Sequence, residues 1–254
     1  HPVEAAGVQY FAWSPDGQRA ATAYGNNVEV WDATTGRLLR RIEITGTTAL
    51  AWSPDGRTIA AGAGRNTVRL LDPSTGTQTA SMTAPSQGTV NPGYDPYEVR
   101  VLSWSPDSSR LASISGGDLA VRVWDAASAT QVYSLTVPAS PFYTPSPPET
   151  PMLPPGTPTP AIPLDQPKGA PMKDVSWSPD GAYIATRYGR YSMAGQEIAF
   201  WEATTGRFLF SLPTEPAVTP AQPARSVEWQ PGTTHITVAI GRTTQIWDVA
   251  SATQ

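Results

Sequence analysis

Acidic side chains recur in this chain at two fixed places, and a recurring set of carboxylates is what acid–base or metal chemistry would need. Asp16, Asp55, Asp107 and Asp180 each stand fourth in a Trp-Ser-Pro-Asp tetrapeptide that opens at Trp13, Trp52, Trp104 and Trp177. Asp32, Asp72, Asp125, Glu202 and Asp248 each follow a large hydrophobic residue: Trp31, Leu71, Trp124, Trp201 and Trp247. Carboxylates gathered in one cleft could share a proton or hold a cation. The spacing argues against gathering. Each acid sits beside turn formers or at the end of a short apolar run, so the first set reads as turn caps and the second as strand ends, one per repeated unit. His235 heads a strand of the last unit, and a lone His gives neither a metal site nor a triad. Asp95 and Glu98 are too few acids for calcium. No Gly-x-Ser-x-Gly, phosphate loop or His-Glu-x-x-His pattern occurs. The expectation is therefore no catalytic residue, no metal and no cofactor.

The elements that position these acids form a repeating phrase. It opens with Trp-Ser-Pro-Asp-Gly or a near copy, the last being Trp229-Gln230-Pro231-Gly232, and closes on the hydrophobic–acid pair 18, 19, 20, 24 and 18 residues after the opening Trp. In the first unit, Val8 to Trp13 is a short apolar and aromatic run that reads as a strand. Ser14-Pro15-Asp16-Gly17 supplies turn chemistry: proline presets φ, Asp bonds its own backbone and Gly accepts positive φ. Arg19 to Tyr24, Asn27 to Trp31 and Arg37 to Ile42 read as three more strands, separated by Gly25-Asn26 and Asp32-Ala33-Thr34-Thr35-Gly36. Small residues such as Ala20-Ala21-Thr22-Ala23 and Ile59-Ala60-Ala61-Gly62 suit strands covered on both sides. Four strands with tight loops, repeated radially, make an all-β propeller of antiparallel blades. The units fall near residues 8–42, 48–82, 99–135, 172–212 and 224–254, within one domain spanning 1–254.

The pattern Trp-Ser-Pro-Asp-Gly, small strand, Val-x-Val-Trp-Asp, x-x-Thr-Gly resembles the bacterial branch of the WD-repeat β-propellers. The resemblance covers nearly the whole chain apart from its insertions. It implies a structural role for Trp13, Trp31, Trp52, Trp104, Trp124, Trp177, Trp201, Trp229 and Trp247, and for the acids named above. It also implies a non-catalytic platform for binding other proteins. One departure stands out. Family members often carry Gly-His ahead of the first strand, with the His in a hydrogen-bond network to the Trp of Trp-Asp. Here neither His1 nor His235 is placed for that, so the network is expected to be missing and the blades to rely on packing and strand pairing. Periplasmic propellers of the translocation type and those of prolyl peptidases share Trp-Ser-Pro-Asp-Gly but lack the regular Trp-Asp close.

Length variation is concentrated. From each closing pair to the next opening Trp the distances are 21, 33, 53 and 28 residues, and the fourth unit carries extra residues around Tyr188 to Gln196. In a four-stranded meander these connections share one face of the disc, while the Ser-Pro-Asp turns share the other. Insertions on one face often mark the binding face of a repeat protein; the competing reading is drift in loops that cost little to lengthen. Aromatic residues recur in the insertions, which favours binding. The candidate partner-binding residues are Tyr94, Tyr97, Phe142, Tyr143, Tyr188, Arg190 and Tyr191. The insertion 138–171 holds 13 of the 27 prolines, which favours polyproline II. Its Thr-Pro and Ser-Pro steps resemble O-glycosylated stalks and tilt the expected location toward the outside of the cell, which otherwise stays open.

Composition sets the outer bounds. The 254 residues carry a net charge of −4 and no cysteine. Disulfides and thiolate chemistry are excluded, and no sequence-wide basic footprint points to nucleic acid. No apolar run approaches the ~20 residues of a membrane-spanning helix. His1-Pro2-Val3-Glu4 does not read as a signal peptide, though a processed chain would have lost one. Scarce Lys beside abundant Ala, Arg, Pro and Thr fits a GC-rich bacterial genome. At the far end, Trp247-Asp248-Val249-Ala250-Ser251-Ala252-Thr253-Gln254 nearly copies Trp124 to Gln131, then stops where a fourth strand should start. Two readings follow: residues 1–7 supply that strand and close a five-bladed ring, or the sequence is a piece of a longer chain. The second is favoured, since rings of the resembling family usually carry more blades. The expected function is an interaction scaffold or assembly subunit whose partners include other proteins and copies of itself. The alternatives are a ligand- or sugar-binding or enzymatic propeller with a central-funnel site, and the sensor segment of a larger kinase or ATPase.

Overall fold

The computed structural model describes residues 9–64, 66–84, 98–116, 120–137, 172–188, 197–212, 224–240 and 243–253. Among them every regular element is a strand. Blade 1 contains β1 (Tyr10–Trp13), β2 (Arg19–Tyr24), β3 (Asn27–Asp32) and β4 (Leu38–Glu43). Blade 2 contains β5 (Ala49–Trp52), β6 (Ile59–Ala63), β7 (Thr67–Leu71) and β8 (Gln78–Thr83). Blade 3 contains β9 (Val99–Trp104), β10 (Arg110–Ser115), β11 (Ala120–Asp125) and β12 (Thr130–Thr136). Blade 4 contains β13 (Met172–Trp177), β14 (Tyr183–Tyr188), β15 (Glu197–Glu202) and β16 (Phe208–Leu212). Blade 5 has three described strands, β17 (Ala224–Trp229), β18 (His235–Ile240) and β19 (Thr243–Asp248). Each sheet is an antiparallel meander in chain order.

The first strands converge. Blade-to-blade approach is closest between β1 and β5, β5 and β9, and β9 and β13, so these strands lie innermost and the fourth strands outermost. The second strands explain the small residues: all of Ile59–Ala63 is buried, because β6 is covered on both faces. A Cβ on Gly62 would meet the Val99 Cβ of the next blade at 2.9 Å, so the backbone approach there admits only glycine. The remaining core lies between blades. Ala21, Val28, Val30 and Ile42 of blade 1 pack on Trp52, Ile59 and Leu71 of blade 2, and the same layering repeats to blade 5. In blades 1–4 the pairing of third and fourth strands shifts at the closing hydrophobic residue, between Val30/Trp31, Leu70/Leu71, Val123/Trp124 and Phe200/Trp201. A bulge there adds twist and re-aims the side chain.

Candidate functional site

The Ser-Pro-Asp turns are closed on themselves, and their hub is a residue that turn chemistry alone does not single out. Ser14, Ser53, Ser105 and Ser178 are all buried. Each hydroxyl donates to the Asp two residues on, at 2.5 Å to Asp16 and 2.6 Å to Asp55, Asp107 and Asp180. Each also accepts the backbone N–H five residues on, from Arg19, Thr58, Arg110 and Tyr183. The carboxylate in turn accepts the N–H of Gln18, Arg57, Ser109 and Ala182 at 3.0 Å. The Ser14 hydroxyl, then the Gln18 N–H, holds Asp16 below the ordinary carboxylate range, and the Ser105 hydroxyl does the same for Asp107. Three of these turns end in glycine at positive φ; the third has Ser108 at φ 62°. Its hydroxyl accepts the Asp55 N–H of the neighbouring blade at 3.0 Å.

The closing acids do the same work at the other turns of that end. Asp32 accepts the N–H of Thr35 at 2.7 Å and its hydroxyl at 2.8 Å. Asp72 accepts the hydroxyl and N–H of Ser74 at 2.6 and 2.7 Å, which lowers its pKa to about 2. Ser128 serves Asp125, first through its N–H. Thr205 serves Glu202, and Thr234 followed by Ser251 serves Asp248. These carboxylates are occupied by their own turns.

Six of the nine tryptophans form two ladders. Within blades, Trp31 donates its indole N–H to Thr22, Trp124 to Ser113 and Trp201 to Thr186, each at 2.9 Å. The expectation that the blades rely on packing and strand pairing alone is thus corrected: the closing Trp keeps a polar partner, a hydroxyl on the second strand. Where the Trp is lost, so is the hydroxyl. Leu71 closes blade 2, and the position equivalent to Thr22, two residues from its pair partner Ile59, is Ala61. In blade 5 that position is Val238, and Trp247 turns to the Gln245 side chain at 3.1 Å. Between blades, Trp104 donates to the Ala51 carbonyl, Trp177 to the Ser103 carbonyl and Trp229 to the Ser176 hydroxyl, at 3.2, 3.1 and 3.1 Å. The Trp52 N–H is buried without a partner, and Trp13 is 58% exposed. Arginine clamps add to the ladder. Arg19 lies 5.0 Å over the Trp52 ring, and Arg110 donates to the Ala203 carbonyl at 2.6 Å beside the Tyr133 hydroxyl, which donates to the same oxygen.

The strand ends that flank the long connections lie at the opposite end. The Ala84 N–H bonds the Asn66 carbonyl of the β6–β7 turn, and the Gly116 N–H bonds the Glu98 carbonyl. The strand ends flanking 85–97 are therefore held at that end, beside the turns between second and third strands. Two buried polar side chains there have no hydrogen-bond partner: the Thr47 hydroxyl and the Asn66 amide, the latter 2% exposed with φ 56°. Of the sequence-expected partner-binding residues, Tyr94, Tyr97, Phe142, Tyr143, Arg190 and Tyr191 lie outside the described residues, as do the insertion 138–171 and residues 1–7. Tyr188 is described and differs from expectation. It ends β14, is 4% exposed, packs on blade 3 and donates its hydroxyl to Glu197. Burial and that carboxylate raise its pKa. It is a core residue of a hairpin mouth.

Radial four-stranded blades joined by inner-strand packing, with a Trp-centred polar ladder, define a β-propeller of repeat type. The family model for the WD domain, G-beta repeat, matches residues 1–32, 40–72 and 87–125, so the first three blades carry WD repeats, and the fold of the chain is a β-propeller. No curated protein matches the sequence. Solved structures that match number 1586 chains, so the fold by itself discriminates no function. One of them is the Kuenenia stuttgartiensis Hydrazine Synthase, 15% identical with a TM-score of 0.64, over 98% of this chain and 64% of that one. The chain thus spans less than two thirds of that protein's length, and at this identity the likeness carries the fold alone. No helix among the described residues is long and apolar enough to cross a membrane.

Proposed function

We propose that this propeller is a non-catalytic interaction scaffold that binds other proteins through the end bearing its long connections. The reading is supported by the chemical contrast between its two ends. At the Ser-Pro-Asp end, every recurring acid is engaged by its own turn. At the other end, buried Thr47 and Asn66 keep polar atoms without partners, and a buried polar group is costly unless it is satisfied. The large length differences, and the non-repeat aromatics Tyr94, Tyr97, Phe142, Tyr143 and Tyr191 with Arg190, fall in the sequence between strands of the meander that end or begin on that side. Aromatic and Arg side chains are the usual anchors of protein interfaces. A proline-rich segment biased to an extended form loses little entropy on docking, and the segment 138–171 is proposed as part of the surface, with its Thr-Pro steps as candidate glycosylation sites.

The test separates binding from folding. Photo-crosslinking residues placed at positions 94, 143 and 191 identify the partner, with positions in the Ser-Pro-Asp turns as controls. Deletion of 141–167 is then expected to weaken binding of that partner with the melting temperature held. Unchanged binding with an unchanged melt would refute the assignment of this face.

A further inference from the structure

The residue four places before each opening Trp is Gln9, Thr48, Arg100, Lys173 and Arg225 in blades 1–5. Strand pairing gives that place a meaning the sequence does not announce. In β9 the pairing steps from Val101–Ile114 to Val99–Ser115, so Arg100 is the extra residue of a bulge. In β13 it steps from Asp174–Arg187 to Met172–Tyr188 and leaves out Lys173. In β17 it steps from Ser226–Ala239 to Ala224–Ile240 and leaves out Arg225. Three successive innermost strands thus bulge at one level, and each bulged residue is a cation. A bulge re-aims its side chain, and bulges are over-represented beside functional sites.

The row runs around the axis at the loop-bearing end. Thr48, in the same place on blade 2, donates its hydroxyl to the Val99 carbonyl at 2.7 Å, next to Arg100 of blade 3. Arg100 is exposed, whereas Val99 and Met172 beside the bulges are buried. The Arg100 guanidinium lies over Gly116, where an added Cβ would come within 2.7 Å of its Nε. Blade 4 adds a fourth cation. The pair facing the next blade at this level is apolar in blades 1–3: Tyr10–Ala23, Ala49–Gly62 and Val101–Ile114. In blade 4 it is Asp174–Arg187, an ion pair at 3.4 Å. A small cavity opens beside it, lined by Asp174, Ser176, Arg187 and Ile198. The level therefore holds Arg100, Lys173, Arg187 and Arg225 against Glu98 and Asp174, a positive rim on a chain of net charge −4.

We propose that this rim seats an acidic segment of a protein partner, an extended run whose Asp or Glu carboxylates meet Arg100, Lys173 and Arg225 one blade at a time. The inference rests on the binding end proposed above and names the chemistry of what binds there. The sign of the rim selects an anionic occupant. Its spacing selects the kind. The cations arrive one per blade along successive strands, which suits separated carboxylates, whereas a single phosphate is held by several donors focused on one point. Glu98, 3.8 Å from Arg100, and Asp174 are carboxylates on these same cations. An incoming acid adds to those pairs, because a guanidinium carries five donors and can serve two carboxylates.

A labelled deca-glutamate peptide, titrated into the whole chain at low salt with deca-glutamine as control, is the first probe. The glutamate peptide is expected to bind, with affinity falling as salt rises, and the glutamine peptide is not. Arg100→Gln, Lys173→Gln and Arg225→Gln should each weaken binding about tenfold with the melting temperature held. Arg57→Gln and Arg207→Gln at the Ser-Pro-Asp end should change nothing. The same variants are then measured against the partner captured by crosslinking at positions 94, 143 and 191. Should Arg100→Gln disturb the fold over Gly116, Arg100→Lys is expected to keep binding and Lys173→Gln carries the test. No binding of the glutamate peptide at low salt overturns the proposal. A captured partner bound equally by wild type and the rim variants overturns it too, and leaves the scaffold reading standing. Peptide binding that depends on the rim, with no partner captured, supports the rim and counts against the loops as anchors. Inorganic phosphate that competes as well as the peptide overturns the choice of carboxylates.

Discussion

At the scale of single residues, the recurring acids are held by the hydroxyls and N–H groups of turns, and seven of the nine indoles donate to a polar partner. Asp72 shows what this does to pH dependence. Its pKa falls from 3.8 to about 2 through the hydroxyl and N–H of Ser74. Above about 4 it is ionised folded and unfolded, and its full contribution is present. Below that the unfolded chain takes up the proton first, and the contribution fades until it is gone near pH 2. Asp16, Asp32, Asp107, Asp125, Glu202 and Asp248 shift the same way. The melting temperature, followed by circular dichroism, is expected to drop across that acid window and to stay flat around neutrality. Asp72→Asn should shrink the drop. The Trp124–Ser113 pair gives a second expectation. Trp124→Leu leaves a buried hydroxyl without its donor, whereas blade 2 runs on Leu71 with Ala61. Adding Ser113→Ala to Trp124→Leu should therefore recover about 1 kcal/mol in urea unfolding; strict additivity would contradict the pairing.

At the scale of elements, the turn that closes the third strand sets the terms. Its fifth residue takes positive φ: Gly36, Gly76 and Gly206 in three blades, but Ala129 and Ala252 at φ 55° and 56° in the others. A residue with a Cβ is strained there by roughly 1–2 kcal/mol, so Ala129→Gly is expected to raise stability by about 1 kcal/mol. The reverse change at Gly206 should cost more, because an added Cβ would sit 2.7 Å from the Tyr133 ring of the neighbouring blade. Denaturant midpoints check both signs. Elements were the most legible level of the sequence. Arg19–Tyr24 is a strand with the expected bounds, and the other blade 1 strands lie within a residue or two of expectation, because turn formers and apolar runs act locally. Pairings across strands were not legible. The Ser14-type hub, the Thr22–Trp31 bond and the Leu71–Ala61 exchange all depend on register. Tyr188 was misplaced for the same reason: in sequence it borders an insertion, while in space Glu197 and blade 3 enclose it.

At the scale of the whole molecule, the blades form a one-dimensional series in which each touches its neighbours. Stability in such an array is close to a sum of units and interfaces. Removing 213–254, which meets the other described blades at one junction, is expected to leave a β-rich chain that melts cooperatively at lower temperature. Removing 98–137 breaks two junctions, the clamp from Arg110 to Ala203 included, and should abolish the cooperative melt. The radial repeat was readable from five copies of one phrase. The exposure of Phe11 and Ile246 was not, because both look like ordinary core residues in the sequence.

The indole ladders also make the protein its own optical gauge. Trp31, Trp124 and Trp201 report the interior of single blades, Trp104, Trp177 and Trp229 report the seams, and Trp13 faces water. Emission is expected to lie to the blue for the buried Trp104, Trp124, Trp177 and Trp201, and to the red for Trp13. A seam that parts before its blades melt would thus write a different spectral history from a blade that melts within intact seams, and the order of disassembly can be followed by light with no label attached.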